Sequence, residues 1–562
     1  MRSFFKMFFA SFLALIVFMV IGFFLFIALV SSLASLAKDD KADIAAHSVL
    51  TIDLSRHYAE QEQNAPLRSI AGGENAPGLY DLVRLIRHAK TDKDIAGIYL
   101  VANSNANGLA SSEEIRRALV DFKTSNKFII AHGDVVSQSA YYVASAADKI
   151  YASPTGTLEW KGLAVELAFF KGTLDRLKIQ PQIFYAGKFK SATEPFRADR
   201  MTPENRLQTA ALLGSIYSEY LQTISAARGI DTATLHALAN TGAIQQAPDA
   251  VQHRLLDAVK YDDEVRDEMK KRLSLGKYDK LPLATLDDYA KAGHFRETGS
   301  GRIAVIFAEG SIVDGSDRQS IASEDYIRTI RKARLDKSVK AIVLRINSGG
   351  GSALASENIW RELSLAKADK PLVVSFGDVA ASGGYYIATA ADTIFALPNT
   401  ITGSIGVFGI IPNMSGFFSE KLGVTFDAVS TADLADGPTI TRPMTETEKT
   451  FAQQGVDRIY LQFKQRVAQG RKKDIATIDS IAQGRVWSGT DALRIGLVDR
   501  MGTLRDAIAC AARMAKLESF RLREYPESGS WLDDLFNRST KTPEAALKSQ
   551  LGADNYEVYR QM

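Results

Sequence analysis

Cysteine is almost missing from these 562 residues: Cys510 stands alone, so no intrachain disulfide and no multi-cysteine metal site can be built, and the fold must rest on packing. The charge balance is nearly flat, with Lys and Arg exceeding Asp and Glu by a net +3. No dense basic run alternates with aromatics, which argues against nucleic acid as a partner. Charge is missing altogether from Met7 to Leu36, and histidine is missing after His294, all seven lying between His47 and His294. The rest is ordinary globular composition, 46% hydrophobic and 24% charged. At this length more than one domain is expected, because single cores rarely grow past roughly 250 to 300 residues.

The uncharged run MFFASFLALIVFMVIGFFLFIALVSSLASL is longer than the ~20 apolar residues that cross a bilayer as a helix, and longer than the apolar region of a cleaved signal peptide. It predicts an uncleaved anchor. Arg2 and Lys6 precede it, whereas Lys38, Asp39, Asp40 and Lys41 cancel after it. The positive-inside rule then sets the N-terminus in the cytoplasm and the body outside it.

The chain repeats itself. GDVVSQSAYYVASAAD (133 to 148) and GDVAASGGYYIATAAD (377 to 392) agree at nine positions, 244 residues apart. The same offset lays Asn103 on Asn347, Ser112 on Ser356 and Gly162 on Gly406. A unit of this size is a duplicated domain and not a solenoid repeat. Within each copy, short apolar runs such as IAVIFA (303 to 308), AIVLRI (341 to 346) and PLVVSF (371 to 376) alternate with segments of helical periodicity, the pattern of a parallel sheet with crossover helices. Two longer amphipathic helices, within 213 to 229 and 451 to 470, each follow a threonine fit to cap them, Thr202 and Thr445. The organisation expected is a cytoplasmic stub and anchor (1–44), a first repeat (45–275), a polar linker (276–301), a second repeat (302–516) and a loosely structured tail (517–562).

Chemistry concentrates in the second copy. AIVLRI runs into NSGGGS, where Gly349, Gly350 and Gly351 can present backbone N–H groups to an anion or a developing oxyanion. No GK[ST] follows, which excludes a nucleotide-phosphate loop. After a strand and a turn expected at Gly377-Asp378, Ser382 stands before a helix of small residues, where the N–H of Gly383 can face a substrate oxygen. A capping role would account for Ser382 alone. The first copy, however, keeps the scaffold residues while losing both features: Gln138 stands for Ser382, and Asn105, Ala106 and Asn107 stand for the three glycines. Their joint loss indicates that they act together.

A nucleophilic serine needs a base. His132 overlays Phe376 at the end of a buried strand and reads as a core or edge residue. A buried lysine is the alternative. QPQIFYAGKFKSATEPF (180 to 196) sets Lys188 and Lys190 among apolar residues, on one face if the segment is extended, and the matching stretch AVSTADLADGPTI (428 to 440) has no lysine. One copy has the amine and the other has the serine.

KSATEPF (190 to 196), DVAASGGYYIATAAD (378 to 392), TGSIGVFG (402 to 409) and GRVWSGTDALRIGLVD (484 to 499) together resemble the signal peptide peptidase A family, peptidase family S49, in its long duplicated form. The resemblance covers about residues 45 to 520 and the anchor. It implies an α/β fold of tandem Clp protease/crotonase-like domains, with Ser382 as nucleophile and Lys190, rather than Lys188, as general base. Ser404 is implied to orient the lysine, and the N–H groups of Gly383 and Gly350 to form the oxyanion hole. Gly349 occupies a position where the family usually has proline. The resemblance further implies a homotetramer without metal or cofactor, with its body on the periplasmic side of the inner membrane and signal peptides as substrates. Two other readings are a crotonase-like enzyme acting on acyl thioesters, which needs no serine nucleophile, and a non-catalytic membrane scaffold, which would fit if both copies had lost their sites.

Overall fold

The uncharged run forms one helix, α1 (Arg2–Leu36), in a computed structural model that describes residues 2–36, 44–62, 77–293 and 295–527. Its stretch Met7–Leu25 has a mean hydropathy of 2.8, is not buried against the body, and is long enough to cross a bilayer.

The first repeat builds a parallel sheet from β1 (Ser48–Asp53), β2 (Ile95–Val101), β3 (Phe128–Val136) and β4 (Lys149–Leu158). Helix α2 (Leu109–Lys123) crosses between β2 and β3, and α3 (Gln138–Ala144) between β3 and β4. β5 (Gln180–Ala186) leaves this unit altogether. α4 (Pro203–Arg228) starts where Thr202 Oγ1 accepts the N–H of Asn205. Two short edge strands, β6 (Ala258–Val259) and β7 (Leu283–Ala284), complete the order β6-β4-β3-β2-β1-β7.

The second repeat repeats the plan with β8 (Gly301–Glu309), the small pair β9 (Ile312–Val313) and β10 (Ile321–Ala322), β11 (Val339–Ser348), α5 (Ala353–Asp369), β12 (Leu372–Ala381) and α6 (Gly383–Ala388). β13 (Thr393–Ala396) pairs with the first half of β12 and β14 (Ile401–Gly403) with its second half. β15 (Val407–Asn413) follows, then α7 (Glu446–Arg471), capped by Thr445, then β16 (Val486–Ser488), β17 (Arg500–Met501), α8 (Leu504–Met514) and β18 (Phe520–Tyr525). The central strands are apolar on both faces because both are covered: Ile342, Leu344 and Ile346 point into one core layer, Ala341 and Val343 into the layer under α8.

The two repeats are cross-linked. β5 pairs antiparallel with β15 over seven residues, from Ala186 opposite Val407 to Gln180 opposite Asn413, and buries Phe184 and Ala186 in the second repeat's core.

Three expectations need correction. Most of the polar stretch 276–301 is not a linker: β7 pairs with β1, and Leu286 and Tyr289 of the following helix are buried in the first core. The tail does not begin at 517, since β18 adds a parallel strand to β8 and buries Tyr525; residues 528–562 lie outside the described residues. No turn interrupts Gly377-Asp378, because β12 runs on to Ala381. The glycine is required there for another reason, as a Cβ would come within 2.4 Å of Glu60 Oε1.

Candidate active site

Ser382 sits at the joint between β12 and α6 with φ +53° and ψ −119°, a strained conformation for a residue with a Cβ. Two backbone bonds hold it there: its N–H donates to Gly403 O (2.9 Å) and its C=O accepts from Tyr386 N–H (2.8 Å). The next residues must be glycine, since a Cβ on Gly383 would lie 2.6 Å from Ser356 Oγ and one on Gly384 2.6 Å from Ser348 O. Gly383 opens α6, so its N–H has no partner within the helix.

The glycine loop leaves the end of β11 and folds over this joint. Gly350 has φ +97°, and a Cβ there would come within 2.5 Å of Gly383 N and 3.0 Å of Ser382 Cβ. Its N–H donates to Ser348 Oγ (3.1 Å), whose hydroxyl donates to Gly310 O (2.6 Å).

Lys190 arrives from the other repeat. β5 ends at Ala186, Gly187 turns the chain at φ +103°, and Phe189 N–H binds Gln483 O (2.8 Å). The turn separates the two lysines. Lys188 is exposed above the ring of Phe189, while Lys190 is 4% exposed, so they do not share a face. The Lys190 Nζ donates to Ser404 Oγ (2.9 Å), Ser404 O (3.1 Å) and Ser382 Oγ (3.2 Å). Ser404, like Ser382, has a positive φ, of +50°, which turns both its carbonyl and its hydroxyl toward the amine. Burial pushes the Lys190 amine down from 10.5 to about 8.

Gln208 belongs to the site as well, although no sequence motif marks it. Buried on α4, it donates to Phe189 O (3.0 Å) and Ser191 Oγ (2.9 Å) and accepts from Val486 N–H (3.3 Å), tying the lysine's segment to the strand beside β14. The repeat carried the signal, because Phe451 stands at its place in the second copy.

His132 is buried in the first sheet, its ring nitrogens facing Tyr99 Oη (3.4 Å) and Lys260 O (3.1 Å). In the first copy Gln138 bonds the backbone where Ser382 would stand free: its Oε1 accepts from Lys161 and Gly162 N–H, and its Nε2 donates to Gly162 O. Among the described residues no group of His, Cys, Asp and Glu is gathered to hold a metal ion.

Ser404 contributes two of the three bonds to Lys190, and only one is made by its side chain. Ser404→Ala is therefore expected to lower kcat by about ten- to a hundredfold without abolishing turnover. Steady-state kinetics on a peptide substrate reads this, and an unchanged kcat would deny the hydroxyl any part in orienting the amine.

The sequence profile of peptidase family S49 matches residues 121–276 and again 364–518, once in each repeat, and that of the Clp protease matches 299–402. Protease 4 of Salmonella typhi is 39% identical over 84% of this chain and 78% of its own length. Protease 4 of Haemophilus influenzae is 35% identical over 88% and 83%, and the chloroplastic serine protease SPPA of Arabidopsis thaliana 35% over 76% and 64%. With one family matched in both halves and relatives aligned across both, this chain belongs to peptidase family S49, laid out twice on a Clp protease-like fold.

Proposed function

We propose that this chain is a membrane-anchored serine endopeptidase with Ser382 as nucleophile and Lys190 as general base. The observation that carries the reading is the 3.2 Å approach of a buried lysine amine, titrating at about 8, to the hydroxyl of a strained serine on the opposite repeat. Neutral Lys190 takes the Ser382 proton as Oγ attacks the scissile carbonyl. The negative charge passes to the carbonyl oxygen, which the N–H groups of Gly383 and Gly350 receive. Gly350 must release or share its bond to Ser348 Oγ to do so. Collapse gives the acyl-enzyme, the ammonium of Lys190 returns its proton to the leaving amine, and water activated by the same amine hydrolyses the ester. Ser404 accepts two of the amine's N–H bonds and so leaves its lone pair to face Ser382.

The helix α1 ties the body to a bilayer surface, and the charges beside it favour a cytoplasmic N-terminus with the body on the periplasmic side of the inner membrane. Cleaved signal peptides left in that membrane are the substrates this placement suits. A fluorophosphonate probe tests the chemistry: it should modify Ser382, found by peptide mapping, at a rate that rises with pH through about 8. Modification elsewhere with Ser382 untouched would overturn the assignment.

The repeat also supports assembly into a homotetramer. The positions matching β15 and β5 in the other copies are 163–169 and 424–430. Neither forms a strand within the chain, and both expose apolar side chains, Leu163, Val165 and Leu167 in one, Val424, Phe426 and Val429 in the other. Pairing one chain's 163–169 with the next chain's 424–430 would repeat the β5–β15 contact head to tail, the kind of contact from which a closed ring is built. Val165→Asp combined with Phe426→Asp should reduce the mass measured by light scattering to that of the single chain. An unchanged mass would exclude these segments as the contact.

A further inference from the structure

Beneath the glycine loop lies a set of buried charges that the protease chemistry does not use. Arg345, near the end of β11, is wholly buried. Its Nε donates to Glu60 Oε2 (2.8 Å), and its Nη1 donates to Ser375 Oγ (2.9 Å) and Phe376 O (2.8 Å) and lies 2.8 Å from Glu114 Oε1. Both carboxylates belong to the first repeat. Glu60 Oε1 and Arg345 Nη2 are buried without a hydrogen-bond partner, which marks a costly arrangement that packing alone would not call for. More acid stands around it. Glu309 accepts the Glu60 N–H, and Asp378 accepts the N–H groups of Ala110 and Ser111 at the start of α2. Burial pushes the Glu114 carboxyl up to about 7, with Arg345 opposing and the charges of Glu60 and Asp378 adding to the rise.

Two observations give the cluster a purpose. The β11–β12 ladder is irregular where the catalytic loop departs, passing from Ile346 opposite Phe376 to Ser348 opposite Ala380. The guanidinium binds Phe376 O at that break. The repeat then shows that the charges are not part of the shared scaffold, because Val101 stands at the place of Arg345 and Asn358 at that of Glu114. The arginine exists only in the copy with the serine, and its acidic partner only in the copy with the lysine.

We propose that Arg345, clamped by Glu60 and Glu114 of the first repeat, is a positioning residue that fixes the ends of β11 and β12 and thereby sets the glycine loop against Ser382. This rests on the protease reading of Ser382. The first repeat thus supplies the base and also completes the strand ends that carry the nucleophile and the oxyanion loop. Lys190 is held separately, through β5, Gln208 and Gln483, so its titration is independent of the clamp.

The full-length protein in detergent, assayed on a fluorogenic peptide, tests this with two variants beside Ser382→Ala. Glu114→Gln keeps the shape and removes the charge; kcat should fall about tenfold with KM changed less than about twofold, while the pH limb at about 8 stays in place. The combined Arg345→Met, Glu60→Leu, Glu114→Leu replaces the charges by apolar volume, which commonly preserves or raises stability. Its thermal midpoint should match or exceed that of the parent while kcat falls about a hundredfold. A stable triple variant with parental kcat would overturn the proposal. Should the triple variant fail to fold, parental kcat in Glu114→Gln overturns it instead. Parental kcat in either variant, with cleavage lost in Ser382→Ala, refutes the positioning role and spares the protease reading. Cleavage that survives Ser382→Ala refutes both.

Discussion

Ser382→Ala should reduce peptide cleavage by on the order of a millionfold, Lys190→Ala by nearly as much, and the pair together by no more than either alone. In the proposed mechanism the hydroxyl and the amine act in one proton transfer, so removing either removes the same step. Covalent chemistry depends on both, and what remains is the small acceleration of an oxyanion hole and a binding groove. The two groups lie in different repeats, yet each substitution leaves the β5–β15 pairing and both cores untouched, and circular dichroism and assembly should be unchanged. Single-turnover kinetics on one peptide reads the three values. Additive losses would mean that the groups act in separate steps and would remove the dyad from the mechanism.

What could be read in the sequence was set by what duplication preserves. Two copies of one framework expose any residue that only one of them kept, and Ser382, the glycine loop and the lysine-bearing segment stood out for that reason. The parallel sheets were legible because β8, β11 and β12 are buried on both faces and so nearly continuous in apolar residues. Where the reading failed, burial was carried by a few residues within polar company. Leu286 and Tyr289 pin a helix whose other residues include two aspartates and a lysine, and β18 reads FRLREY, in which Phe520 and Leu522 pack on the core under α8 and Tyr525 on the opposite core while two arginines and a glutamate stand between them. Arg345 is a single polar residue inside the apolar run AIVLRI. A buried guanidinium is intelligible only with its carboxylates, and Glu60 lies 285 positions away in sequence.

The base itself should be a liability to the fold, and Lys190→Met is expected to give an inactive protein more stable than the parent at neutral pH. Lowering the amine from 10.5 to about 8 by burial corresponds to about 3 kcal/mol at 1.36 kcal/mol per unit. The three hydrogen bonds to Ser404 and Ser382 return part of that through net contributions of about 0.7 kcal/mol each, leaving an expected gain for the variant of about 1 kcal/mol at pH 7. The sign follows from proton counting. Below about 8 the amine is protonated in both states and the whole penalty stands. Between about 8 and 10.5 the unfolded chain binds a proton that the folded one has released, so unfolding takes up a proton and the parent gains stability as pH rises. The advantage of Lys190→Met should therefore be largest at pH 7 and vanish or reverse by pH 10, as read from chemical denaturation at the two values. With Lys190 as the proposed base, parental activity follows the same titration: kcat/KM should rise about tenfold per pH unit below about 8 and level off above it, because only a neutral amine can accept the Ser382 proton. A variant less stable than the parent by the same margin at both pH values would show that desolvation is not what holds the amine near 8.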